Sequence, residues 1–251
     1  MTQLHIPKII GHRGAAGYAP ENTLVSIQTA HDMGIDWVEL DVKLTADDVP
    51  IIMHDDNFLR TCGIDALVKD LPYSEIKDMD AGSWFADSFA GEQIPTLEQA
   101  VELITKLGMS FNLEIKPCEG REVETTITTL DLMTRIWDDH DKIMISSFSE
   151  VALETAADML GGDWAIGYLF DETPENWKDM ADHLNAKSIN INGNREDLKR
   201  EFVEDIIDEG YNILAYTINN PMIAKELLSW GVDGVFTDEP DTIRDELFAM
   251  N

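Results

Sequence analysis

Two short patterns in this 251-residue chain place chemically capable groups at spacings that a β-strand would aim in one direction. Glu39-Leu40-Asp41 and Glu114-Ile115-Lys116 set ionisable residues at i and i+2 inside otherwise apolar runs. On a strand such residues share a face, about 6.6 Å apart. Three carboxylates brought together would repel one another unless something positive stood between them, and an oxygen-only ligand set suits a hard divalent cation, Mg2+ or Ca2+. The competing reading is a structural ion-pair network neutralised by Lys116. Glu-x-Asp alone says little in a chain with 49 acidic residues; its place on an apolar strand, matched by Glu-x-Lys on the next, is what raises it.

Gly11-His12-Arg13-Gly14 ends the first apolar run, and Pro20-Glu21-Asn22-Thr23 precedes a helical one. His12 can trade a proton near neutral pH, and Arg13 offers a planar fork of donors matched to phosphate or carboxylate. The plainer alternative pairs Arg13 with one of the many acids and leaves His12 capping a loop. A second histidine follows from the segment Ala46-Asp47-Asp48-Val49, which reads as a turn that reverses the chain. With Asp47 and Asp48 as a two-residue loop, the register sets His54 directly across from Asp41. Further along, Tyr216 and Asn192, with Asn190 and Asn219, fall near the ends of later strands as candidates for substrate contact or for loop hydrogen bonds. Trp84, Phe85 and Phe58 are candidates for a cleft wall. Cys118 falls near the same mouth with nothing to mark it as a nucleophile, and His5, His31, His140 and His183 fit surface or structural roles.

The elements that must position these groups alternate along the whole chain. Strand-like runs at 8–12, 37–43, 109–116, 142–147, 165–170, 188–192, 212–218 and 234–238 are followed by helical runs at 22–33, 97–106, 121–138, 150–159, 174–183, 196–208, 221–229 and 240–249. Alternation of this kind means parallel strands with crossover helices, and eight of each in about 250 residues is the count for a (β/α)8 TIM barrel. Barrel chemistry sits at the C-terminal ends of the strands, where His12, Arg13 and Lys116 fall. About fifty residues after the second strand break the pattern. They hold a ninth strand candidate at 49–54 and then sequence rich in Asp, Ser, Gly and Pro. The expected organisation is one catalytic domain over 1–251 with an embedded insertion at about 44–95. The alternative, an open doubly wound sheet, lacks a glycine-rich phosphate loop.

Composition narrows the function classes. The net charge of −31 opposes nucleic acid and anionic lipid surfaces, both of which are held through Lys and Arg, so a positive site survives only as a local pocket. No apolar run approaches the roughly 20 residues needed to span a bilayer. The only two cysteines, Cys62 and Cys118, form neither a disulfide framework nor a cysteine metal cluster. They fit reduced thiols in a cytoplasmic protein.

With these residues assembled, the sequence resembles the glycerophosphodiester phosphodiesterase family over nearly its whole length. The resemblance is carried by GHRG at 11–14, PENT at 20–23, ELDVKLTADDVPIIMHDDNFLRT at 39–61, DAGSWF at 80–85, IPTLEQA at 94–100, LEIKP at 113–117, and AYTINN with GVDGVFTDEP near the end. It implies a barrel with an insertion after its second strand, a divalent cation, and hydrolysis of small glycerophosphodiesters to sn-glycerol 3-phosphate and an alcohol. By matching motif it implies Glu39, Asp41 and Glu114 as metal ligands, His12 and His54 as acid and base, and Arg13 and Lys116 as phosphate ligands. Tyr216 stands where many relatives have tryptophan. The rival readings are a phospholipase C-like or D-like barrel acting on intact lipids or lysolipids, an enolase-type metal barrel, and a non-catalytic binder of glycerol phosphates.

Overall fold

The computed structural model describes residues 5–248. Its order is β1 (Ile9–Gly11), α1 (Leu24–Asp32), β2 (Trp37–Leu44), β3 (Pro50–Ile52), the single-turn helices α2 (Leu59–Cys62) and α3 (Tyr73–Ile76), α4 (Leu97–Leu107), β4 (Ser110–Ile115) and α5 (Glu122–Ile136). It continues through β5 (Ile143–Ser147), α6 (Glu150–Leu160), β6 (Ala165–Phe170), α7 (Trp177–His183), β7 (Ser188–Asn192), α8 (Arg200–Asp208), β8 (Asn212–Tyr216), α9 (Pro221–Trp230), β9 (Gly234–Thr237) and α10 (Pro240–Phe248). Parallel pairing runs from β2 through β4 to β9, and β1 closes the circle by pairing with β9 and, at Gly11↔Val38, with β2. The result is the closed eight-stranded barrel that the alternation predicts, with β3 added antiparallel on the end of β2.

Alternation along the strands sorts their side chains. Val38, Leu40 and Val42 of β2 and Leu113 and Ile115 of β4 face outward, and with Ile27, Ala100, Ile104 and Leu130 of the helices they make the barrel–helix core. Each fully buried aliphatic side chain there contributes about 1.5–3 kcal/mol. Inward positions change character with height. Ile10, Trp37, Met144, Ala165, Leu214 and Phe236 form an apolar floor. The next inward residues, Glu39, Asn112, Ser146 and Asn190, are buried and polar.

Several predicted ends move for identifiable reasons. The helix expected from residue 22 begins at Leu24, because Thr23 caps it through its hydroxyl to the Ser26 amide and Asn22 has a left-handed φ of 58°. α7 and α8 begin later than expected, at Trp177 and Arg200, and β8 stops at Tyr216. The last expected helical residue, Ala249, lies outside the described residues. α4 carries a full capping box between Thr96 and Gln99, the arrangement that satisfies two orphan amides at once.

The hairpin departs from expectation by one residue. Val42 pairs with Ile52 and Leu44 with Pro50, so Asp41 lies across from Met53, not His54. The loop holds three residues, Ala46, Asp47 and Asp48. Asp48 takes a φ of 61° after a turn closed by its amide on the Thr45 carbonyl; a turn followed by one left-handed residue is the usual three-residue hairpin. Beyond β3, the insertion builds its own small core from Met53, Phe58, Val68, Ile76, Met79 and Ile94.

Glycine is required where the loop after β1 crosses α1. Gly14 has a φ of 88°, and a Cβ on it would lie 2.4 Å from the Ser26 hydroxyl, whereas Gly108 has a similar φ of 71° with open space around it. Gly108→Ala should therefore cost about 1–2 kcal/mol of left-handed strain, while Gly14→Ala adds overpacking of about 1–3 kcal/mol. Equal losses in denaturant unfolding would refute this account of the loop.

Candidate active site

The parallel register that puts Asp41 beside Glu114 across β2 and β4, together with Glu39 two positions earlier on β2, gathers three carboxylates at the barrel mouth. One oxygen from each lies within 4.8 Å of the others, and all three residues are buried. Cations surround the group without filling it. Arg13 donates its backbone amide to Glu39 Oε2 at 3.0 Å and brings its Nε to 3.4 Å from Asp41. Lys116 Nζ donates to Glu114 at 2.8 Å and lies 3.7 Å from Asp41. Asn22 donates its side-chain amide to Asp41 at 2.8 Å.

The protonation pattern follows from this crowding. Burial, then repulsion from Asp41 and Glu114, pushes Glu39 well above the usual carboxylate range, against a smaller opposing pull from Arg13. Burial, then Asp41, pushes Glu114 up to about 7 in spite of Lys116. Burial also acts to raise Asp41, but Arg13, Lys116 and His54 outweigh it and hold its carboxyl well below the ordinary value. Glu39 Oε1 is buried with no hydrogen-bond partner among the described residues. An orphaned acceptor in a repelling, all-oxygen cluster fits a hard divalent cation, and Glu39, Asp41 and Glu114 are the residues able to hold one.

Two imidazoles face the same cavity of about 180 Å3, whose lining includes Arg13, Glu114, Lys116, Phe148 and Tyr216. His12 follows β1. Its Nδ1 lies 2.7 Å from Asp238, and its Nε2 lies 3.8 Å from Glu39. Asp238 is itself fixed, since the Asn219 side chain donates to it at 2.7 Å and accepts from its backbone amide. His54 follows β3, with Nδ1 2.7 Å from Asp55. Burial lowers the His54 pKa, with Asp41 opposing and Arg13 and Lys116 reinforcing the shift. The one-residue slip does not take His54 out of the cavity, because the ladder ends at the Met53 amide bond to the Asp41 carbonyl and the chain then leaves strand alternation.

Other sequence candidates separate. Tyr216 lines the cavity, donates to the Phe170 carbonyl at 2.9 Å and meets Phe148 edge-on. Asn192 does not line it; its amide is committed to Asp171 and its carbonyl to the Asn194 amide, beside a separate polar hollow. Asn190 is buried inside the barrel with Ser188, and Asn219 serves Asp238. Phe58 is wholly interior to the insertion core, and Trp84 lies under the Arg60 guanidinium. Cys118 is buried, and burial pushes its thiol up, which disfavours the reactive thiolate.

Sequence reasoning missed Asp238, Asp55, Glu21 and Lys43 as parts of the site. Lys43 is the next inward residue after Asp41, almost wholly buried, and donates to Asp56 at 2.6 Å and to the Lys116 carbonyl at 3.0 Å. The i+2 spacing that paired Glu39 with Asp41 extends to it and could have revealed it.

A buried, repelling cluster makes a prediction that needs no catalysis. In chelator, Glu39→Gln should unfold at a temperature equal to or above that of the unaltered chain. Added Mg2+ or Ca2+ should then stabilise the unaltered chain, by about 2.7 kcal/mol at a hundred times the dissociation constant, and leave the variant nearly unmoved. Equal cation shifts in both proteins would exclude Glu39 as a ligand.

The sequence model described as "Glycerophosphoryl diester phosphodiesterase family" matches residues 12–242. A glycerophosphodiester phosphodiesterase of Caldanaerobacter subterraneus is 32% identical over 94% of this chain and 95% of its own length, and one of Bacillus subtilis is 32% identical over 92% and 83%. Among solved structures, an Oleispira antarctica phosphodiesterase in complex with its product sn-glycerol-3-phosphate is 40% identical, covers 97% of each chain and superposes with a TM-score of 0.92. The Thermotoga maritima glycerophosphodiester phosphodiesterase is 26% identical over 96% of this chain and 98% of its own, at a TM-score of 0.77. On its sequence and its barrel alike, this chain belongs to the glycerophosphoryl diester phosphodiesterase family.

Proposed function

We propose that the chain hydrolyses small glycerophosphodiesters to sn-glycerol 3-phosphate and an alcohol, using one divalent cation, Mg2+ or Ca2+, and two histidines. The observation that carries this reading is the pair of oriented imidazoles, His12 and His54, facing one cavity above the buried carboxylates Glu39, Asp41 and Glu114. The product held by the Oleispira antarctica relative supports the substrate class. The free thiols Cys62 and Cys118 suit a reducing cytoplasmic setting, and among the described residues no helix is long and apolar enough to cross a membrane. The barrel and its insertion act in this reading as one catalytic domain.

Held by Glu39, Asp41 and Glu114, the cation would supply Lewis-acid neutralisation of the phosphate charge. The chain's own groups do the rest. Arg13 and Lys116 bind the non-bridging oxygens, placed where charge shifts during in-line displacement. The Asp238 carboxylate accepts from His12 Nδ1, and Asp55 from His54 Nδ1, so in each ring Nε2 is the atom left to the cavity. One Nε2 takes the proton of the attacking hydroxyl while the other gives a proton to the departing alkoxide, each worth about 100-fold to 10,000-fold. The glycerol 2-hydroxyl is a candidate nucleophile, giving a cyclic phosphate that water then opens.

Purified protein should release glycerol 3-phosphate from glycerophosphoethanolamine, stop on addition of chelator and recover with Mg2+ or Ca2+. His12→Ala and His54→Ala should each lose at least about 100-fold in kcat while unfolding as the unaltered chain does. Turnover indifferent to chelator would remove the cation from the mechanism, and near-normal turnover in a well-folded histidine variant would remove that histidine.

A further inference from the structure

Arg60, on α2 of the insertion, lies outside the cavity yet joins both halves of its machinery. Its Nε and Nη2 donate to Asp55 at 2.7 and 3.1 Å, and its Nη1 and Nη2 donate to Glu21 at 2.7 Å each. The two carboxylates lead inward. Asp55 accepts from His54 Nδ1 at 2.7 Å, and Glu21 accepts from Arg13 Nη1 at 2.7 Å. One guanidinium therefore forks to two carboxylates, one behind an imidazole and the other behind the phosphate-binding arginine. His54 and Arg13 come from loops that share no strand ladder at this point, so regular structure does not fix their relative positions.

We infer that Arg60 is a positioning residue that latches the insertion to the loop after β1, setting His54 through Asp55 and Arg13 through Glu21. This rests on the hydrolytic reading above. Arg60 is half exposed and stacks at 5.5 Å on Trp84; Glu21 and Asp55 are more shielded but keep second partners in Arg13 and His54, so the Arg60 pairs contribute only about 1 kcal/mol to stability. Its value lies in geometry: four N–H donors in a rigid plane hold two carboxylates at a fixed separation, which an ammonium cannot do. Outer partners that orient the ligands of a metal site typically carry about 10–100-fold of affinity or activity, and a loss of that order is expected for Arg60.

Four variants test the latch in the cation-loaded protein. Arg60→Ala and Arg60→Lys should both lose about 10–100-fold in kcat with little change in Tm, and in an Asp55→Asn background Arg60→Ala should cost less than it does alone, keeping only the part that runs through Glu21. Amide hydrogen exchange, which does not depend on turnover, should quicken at residues 21–23 and 54–62 in Arg60→Ala. Activity restored by lysine, full multiplicative loss in the double variant, or unchanged exchange in both segments would overturn the latch. If the unaltered chain releases no glycerol 3-phosphate, the hydrolytic reading fails separately, and the exchange result alone decides whether Arg60 holds the two loops.

Discussion

The mutual repulsion of Glu39, Asp41 and Glu114 is the constraint around which the barrel mouth is arranged. Carboxylates within 4.8 Å and shielded from water would separate or protonate if they could move, because their interaction strengthens as the local dielectric falls. Here they cannot separate. Two are on β2 and the third is on β4, whose six-residue register with β2 is locked by ladder hydrogen bonds. The apolar outward faces of the same strands, buried against α4 and α5, hold the ladders in place. Folding free energy from the barrel–helix core thus sustains a cluster that is unfavourable by itself, and the raised pKa values of Glu39 and Glu114 are its local record.

The same constraint explains the positive groups. A protein of charge −31 repels an anionic substrate at long range, but at physiological salt that repulsion is screened beyond about 8 Å. In the proposed function, what the phosphate meets at contact is Arg13 and Lys116, both of which line the cavity. Each is itself anchored by the carboxylates it helps to neutralise, and burial alone would weaken their charge; Asp41 and its neighbours hold both protonated. Lys43 extends the arrangement one layer outward, tying the Lys116 carbonyl to Asp56 of the insertion.

Legibility in the sequence followed the range of the interaction concerned. The Glu39–Asp41 and Glu114–Lys116 pairs were readable because strand alternation is local, and the eight-fold alternation gave the barrel. Asp238 was not readable as a partner of His12, since they are 226 residues apart and meet only because β1 closes against β9. The hairpin register failed by one residue because Asp48 adopts a left-handed conformation that its side-chain type permits without requiring. For Asn192 the sequence left substrate contact and loop hydrogen bonding both open, because its place near a strand end fits either, and its two hydrogen bonds, to Asp171 and from the Asn194 amide, are of the second kind.

That His54 faces the cavity in a register that sequence arithmetic got wrong shows how the site divides its demands. The carboxylates need rigidity, since only a ladder can hold like charges together, and they are on strands. In the proposed mechanism the imidazoles need a directed Nε2, and both come just after a strand ends, His12 beyond Gly11 and His54 beyond Ile52. His12 keeps the inward parity of Ile10, its amide still bonded to the Thr237 carbonyl, whereas at His54 the ladder has ended and the backbone no longer dictates direction; a carboxylate stands behind each ring, Asp238 or Asp55. Had β3 continued two residues further, alternation would have governed where His54 points. Its early end, with the insertion core anchoring Met53 and Phe58, is what allows a loop residue to complete a site built on strands.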